Sequence, residues 1–155
     1  MNLNEIIQDT SRVFIGNDIP NDYLSEKQPH AQNLHALVYP LTRDEVVHLM
    51  DYAKEKQLIV IPSGANSGLA HATQAHEGEL LIDFSQMNRI LDFDLDTLTL
   101  SVEPGITIGE VQKYVQKRGF FYPPDPASKH STIGGNVSTS AGGMRAVKYG
   151  TTRDY

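Results

Sequence analysis

The sequence has no cysteine, which excludes disulfides, thiolate metal sites and cysteine nucleophiles and suits a reducing compartment. Positive charge is scarce as well: 13 Lys and Arg stand against 19 Asp and Glu, a formal net charge of −6. General attraction to nucleic acid or to an anionic membrane is therefore excluded, and any anion must be held locally. No stretch approaches the ~18 consecutive apolar residues that would span a bilayer. The opening MNLNEIIQDT has neither a basic start nor a long apolar run, so the expected location is cytoplasmic. Two phosphate-binding signatures are missing. Gly68 is followed by Leu69 and Ala70 rather than Lys-Ser/Thr, and neither glycine-rich stretch reads G-x-G-x-x-G, so the chain has no Walker loop and no Rossmann fingerprint. Metal-ligand spacing is lacking too. His71 with His76 and His30 with His35 are five residues apart and have no acidic companion on a helix, and no metal site is expected. His130 reads as a solvated side chain. No Ser/His/Asp order suggests nucleophilic catalysis, and no catalytic residue is assigned.

What is present describes one soluble globular domain: 155 residues, 39% apolar and 21% charged. Leu3 to Val13 reads as a short helix, residues 16–33 as an irregular connection, and residues 34–40 as a strand ending at a proline. Thr42 with Glu45 forms a capping box and Leu41 with Val46 a hydrophobic staple, so a helix starts at Thr42 with Val46, Leu49, Met50 and Ala53 on one face. Thr107 with Glu110 and Ile106 with Val111 repeat that grammar, with Val111, Tyr114 and Val115 as the buried stripe and Gly119 as the stop. Strands are expected at 58–61 and 79–83, and a hairpin joins 90–93 to 97–103 across Asp94-Leu95-Asp96. Leu98, Leu100 and Val102 alternate and should share a buried face. The fold class is α+β: a mixed sheet with helices packed on one side.

Two segments carry the chemistry. A strand that runs into Pro62-Ser63-Gly64-Ala65-Asn66-Ser67-Gly68 places successive backbone N–H groups in a tight turn, a nest that binds anions without a lysine. Hydrogen bonds to a charged group contribute about 1.5–3 kcal/mol each, so a few well-aimed amides suffice for a pyrophosphate. The second segment, YPPDPASKHSTIGGNVSTSAGG from Tyr122 to Gly143, has almost no apolar periodicity. It combines hydroxyl and amide side chains with glycines that permit close approach, and reads as a loop laid over a surface that the rest of the chain supplies. Asp125, between prolines, reads as a turn former whose carboxylate satisfies nearby amides. Arg145, Lys148 and Arg153 gather positive charge near phosphates or on a solvated face.

With these segments in view, the chain resembles the N-terminal FAD-binding region of the FAD-linked oxidases of the vanillyl-alcohol oxidase and p-cresol methylhydroxylase superfamily. The branch most similar contains the glycolate oxidase FAD subunit and the D-lactate and D-2-hydroxyglutarate dehydrogenases. The likeness rests on LVYPLTRDEV, IPSGANSGL, VEPGITIGEV and the run from Tyr122 to Tyr155. It implies a lead-in over residues 1–33 and a partial FAD-binding domain over 34–155. It implies that Ser63, Gly64, Ala65, Asn66, Ser67 and Gly68 embrace the FAD pyrophosphate and that Pro104-Gly105 approach the cofactor. Pro124, Asp125, Ser128, Thr132, Gly134, Gly135, Asn136, Ser138, Gly142 and Gly143 would line the rest of the nucleotide. Relatives that attach FAD covalently carry a histidine near the place of Ser67, so the resemblance implies a dissociable FAD. Family enzymes are several times longer, and the chain is expected to be an N-terminal fragment of an enzyme that oxidises a small 2-hydroxy acid to the 2-oxo acid, without activity of its own. A homo-oligomer is compatible with this reading; a nucleic-acid or membrane partner is not expected. The competing readings are a non-redox nucleotide or phosphate module and a structural remnant that binds nothing.

Overall fold

The computed structural model describes residues 2–20, 33–70, 73–74 and 76–155. His30, His71 and most of the expected irregular connection lie outside the described residues. The chain divides into two compact units, Met1–Gln86 and Met87–Tyr155.

The first unit is built on a four-stranded mixed sheet in the order β1-β2-β4-β3, with β1 Val13–Phe14, β2 Ala36–Val38, β3 Val60–Ser63 and β4 Leu80–Asp83. β1 runs antiparallel to β2, while β4 pairs in parallel with both β2 and β3. Strand alternation sorts the core. Ala36, Val38, Leu80 and Ile82 meet the helices α1 (Leu3–Ile6) and α2 (Arg43–Lys56) through Leu3, Ile6, Leu49, Tyr52 and Ala53. Leu37 and Leu81, one residue out of phase, pack with Ile19 and Leu34. Leu37, Leu80, Leu81 and Ile82 are at most 1% exposed, and each such side chain stabilises the fold by about 1.5–3 kcal/mol.

The capping box of α2 is closed: Thr42 Oγ1 accepts from Glu45 N at 3.1 Å and Glu45 Oε2 from Thr42 N at 3.3 Å. The same Glu45 carboxylate accepts from Arg12 Nη2 at 2.7 Å, which ties the segment before β1 to the start of α2. Tyr52, not Met50, completes the buried stripe, because position 50 lies about 100° round from Leu49 and is 48% exposed. The expected helix over 3–13 ends at Ile6. Asp9 Oδ1 accepts from Ser11 N at 3.1 Å and starts a separate 3₁₀ turn, a local bond that competes with helix continuation. Val13 and Phe14 then pair with Val38 and Leu37.

In the second unit the hairpin forms a sheet of its own, β5 Ile90–Asp94 against β6 Thr99–Val102, with a register shift between Ile90 and Asp92. Asp94 Oδ1 accepts from Asp96 N at 2.8 Å and Thr97 N at 3.2 Å and shapes the turn. Leu98 sits in that turn at φ 56° and is 63% exposed, so only Leu100 and Val102 of the expected trio turn inward. α3 (Ile108–Gln116) carries the second closed capping box and buries Ile108, Val111 and Val115. A cavity of about 500 Å³ lies between them, lined by Phe93, Leu100, Val102, Val111, Val115 and Phe120 among others.

The segment read as a loop contains a helix. α4 spans Ile133–Thr139, with Thr132 as its N-cap, and α5 (Ala146–Tyr149) follows. Two glycines in seven residues argue against a helix on intrinsic propensity, but tertiary contact overrides it. A Cβ on Gly134 would stand 2.8 Å from Pro104 Cβ, and Gly134 N donates to Pro104 O at 2.8 Å.

Candidate functional site

Each glycine-bearing segment belongs to one unit. In the first unit β3 delivers the chain into residues 63–68. Ser63 is buried, and its Oγ donates to Asn66 Oδ1 at 3.1 Å. Thr73 Oγ1 donates to the same oxygen at 2.8 Å. Asn66 holds φ 49°, a left-handed conformation that asparagine tolerates better than most residues. Ser63 and Asn66 thus spend side-chain groups on bracing the turn. The backbone N–H groups of Gly64, Ala65, Ser67 and Gly68 donate to no acceptor among the described residues, and a Cβ placed on Gly68 would meet nothing within 4 Å. A braced turn with free amides and open space beside it is the arrangement that holds an anion. Nearby, burial, reinforced by the negative charge of Asp83, pushes the Tyr39 phenol up to about 12, so Tyr39 remains a neutral hydroxyl.

In the second unit the starts of α3 and α4 lie side by side. Thr107 bridges to Thr132, Ile108 N donates to Ser131 O at 2.9 Å, and Ile133 N donates to Ile106 O at 2.8 Å. The Pro104-Gly105 turn is fastened from both sides, since Pro104 O accepts from Gly134 and Gly105 N donates to Met87 O at 2.7 Å. The Arg89 guanidinium bonds Glu103 at 2.7 Å and holds its carboxyl below the usual range. Thr132 is buried as a cap, accepting weakly from Gly135 N at 3.4 Å. Ser128 O accepts from Ser131 Oγ at 2.8 Å, and Ser138 Oγ donates back to Gly134 O at 2.9 Å. These hydroxyls and carbonyls are occupied within the segment.

Three positions are not. Asn136 is 3% exposed, yet its Nδ2 has no partner among the described residues, and the N–H groups of Gly142 and Gly143 have none either. A buried amide donor left unpaired costs about 1–3 kcal/mol, which an acceptor on a bound ligand would remove.

Asp125 departs from its expected role. Its carboxylate does not satisfy turn amides; it is 8% exposed and pairs with the Lys129 ammonium and, at 3.3 Å, with Arg145 Nε. The hydrogen bond from Lys129, reinforced by the charges of Lys129 and Arg145, holds the Asp125 carboxyl below its usual range. Arg145 also stands over the Phe121 ring at 5.2 Å. Lys129 is a residue that sequence reasoning missed; its one signal was the i, i+4 spacing from Asp125. Pro124 is fully buried and its carbonyl accepts from Gln112 Nε2 at 2.8 Å.

The model of an FAD binding domain matches residues 34–155. The chain belongs to that FAD binding domain family. It is 36% identical over 146 residues to the D-lactate dehydrogenase of Anaerostipes hadrus, covering 93% of this chain and 31% of that protein. It is 38% identical over 135 residues to the glycolate oxidase subunit GlcD of Bacillus subtilis, covering 86% of this chain and 29% of that one. The chain thus spans about a third of the length of these relatives. Among solved structures, p-cresol methylhydroxylase with substrate bound superposes at a TM-score of 0.73 with 20% identity, over 90% of this chain and 28% of that one. That likeness concerns the fold, and it agrees with the expected α+β class. The residues fit the family's cofactor: free amides in both segments and the unpaired Asn136 donor suit a ligand rich in phosphate and carbonyl oxygens. No helix among the described residues is long and apolar enough to cross a membrane.

Proposed function

We propose that this chain supplies the two FAD-holding segments of a flavin-dependent oxidoreductase acting on a small 2-hydroxy acid. The family match over residues 34–155 carries the reading, and the names of the relatives, D-lactate dehydrogenase and glycolate oxidase, supply the substrate class. The flavin, when bound, provides two-electron chemistry that no protein side chain can. The chain's own residues bind and orient. The amides of Gly64, Ala65, Ser67 and Gly68 donate to the pyrophosphate oxygens, and Asn136 Nδ2 with the N–H groups of Gly142 and Gly143 donates to acceptors further along the nucleotide. Ser63, Asn66, Thr132 and the Pro104-Gly105 turn keep those donors in place. Ser67 has no ring nitrogen to bond the flavin, so the cofactor is dissociable.

Titrating FAD fluorescence with the purified chain tests the reading. The expected result is saturable quenching that is lost when Gly68 is replaced by Val, whose side chain would enter the open space. Acid precipitation should then leave the flavin in the supernatant. Absence of saturable quenching, or yellow colour that stays with the precipitated polypeptide, contradicts the corresponding part.

A further inference from the structure

Asp125, with Lys129 four residues on, is joined to Arg145 twenty residues further along the second segment. Asp125 opens the run, Lys129 lies one turn before the α4 cap, and Arg145 lies just past the glycine pair. The backbone is drawn equally tight, since Asp125 bridges in parallel to Gly143, and a Cβ on Gly143, at φ 116°, would fall 1.8 Å from Asp125 O. Lys129 Nζ is also 3.0 Å from Gln112 Oε1 on α3, and Lys129 O accepts from Gly109 N at 3.1 Å. Residues 125–143 therefore form a closed ring that contains α4 and its unpaired Asn136 donor. One buried carboxylate sits at the closure, anchored to α3 through Lys129.

From this geometry we infer that Asp125 is a positioning residue, an ionic clasp that closes the ring and fixes the Asn136, Gly142 and Gly143 donors in ligand-holding geometry without contacting the ligand. The inference rests on the flavin reading for what the ring holds, but not for the ring itself. Each carboxylate oxygen already faces a cation, Oδ1 the Lys129 ammonium and Oδ2 the Arg145 guanidinium, and the negative charge of Asp125 would repel a ligand carrying phosphates. Replacing the carboxylate by an amide removes the charge that gathers Lys129 and Arg145 while keeping the shape. The ring then opens at its narrowest point, and the donors on either side of it lose their mutual geometry.

The test compares Asp125→Asn, Lys129→Met and Lys129→Arg with the parent chain by amide exchange without ligand and by FAD titration. Asp125→Asn and Lys129→Met should speed exchange across residues 131–143 and weaken FAD by about tenfold, whereas Lys129→Arg, which keeps the cation, should stay close to the parent. Exchange in residues 36–38 and 80–83 should not change, which separates the clasp from a general loss of stability. Parent-like exchange and affinity in Asp125→Asn overturn the inference, as does equal damage from Lys129→Met and Lys129→Arg. Should Asp125→Asn fail to fold, the two variants at Lys129, whose side chain is 52% exposed, decide alone. A parent chain that takes up no FAD defeats the flavin reading, and the exchange data still judge the clasp.

Discussion

The two units are held together by different physics. The first buries a sheet on both faces, and Ala36, Leu37, Val38, Leu49, Leu80 and Leu81 have no exposed surface at all. The second has a two-stranded sheet, an apolar cavity and many large side chains in solvent, with Leu95, Leu98, Val137, Met144 and Val147 more than half exposed. Its segments are secured by directed contacts instead: paired helix starts, the Arg89–Glu103 pair and the Asp125 clasp. Burial is non-directional and tolerates small shifts, whereas hydrogen bonds and ion pairs fix positions. A core of the first kind gives a stable platform, and directed contacts of the second kind hold backbone and side-chain donors in fixed places.

That contrast predicts a graded series of effects. Leu81→Ala should cost the most, about 3 kcal/mol in denaturant unfolding, because the site is closed on all sides. A loss below about 1 kcal/mol would mean the first unit is looser than its packing indicates. Arg12→Met should come next, at about 2 kcal/mol, since it strands the Glu45 carboxylate in a half-buried place. The same pair sets a pH dependence. The hydrogen bond from Arg12 holds the folded Glu45 carboxyl below its ordinary value of 4.5, so its stabilisation is present above that value. It is lost as the pH falls from 4.5 through the lowered folded value. Acid unfolding of Arg12→Met should therefore show a shallower slope in that window. In the second unit Gly143→Ala should leave the first unit's unfolding unchanged yet speed amide exchange around residues 125 and 143, because its Cβ collides with the Asp125 carbonyl. Val147→Ser should be nearly silent, within about 0.5 kcal/mol, since that side chain is fully in solvent.

The first unit was the more legible in sequence because its signals are local and periodic. Thr42 with Glu45 gave the start of α2, and the apolar runs gave β2, β3 and β4 to within two or three residues. The same capping grammar placed α3. β1 was missed because two residues carry no period, and only pairing with Val38 and Leu37 makes them a strand. α4 was missed for the opposite reason: its glycines read as turn chemistry, and the Pro104 turn that requires them is thirty positions away. The site shows the same division. Small residues and glycines marked where backbone donors are offered, but not which are already spent. Gly134 proved to be packed against Pro104, and Asn66 to be a brace. The Arg145 partner of Asp125 was hidden because an ion pair spanning twenty residues leaves no pattern in sequence.

The proposed function requires that FAD engage residues 64–68 and residues 142–143 alike. Amide exchange of the chain with and without saturating FAD tests it most directly. The expected result is slowed exchange at Gly64 to Gly68 and at Gly142 and Gly143 together, with a common dependence on FAD concentration. Protection confined to one segment, or half-saturation at different concentrations in the two, would contradict it.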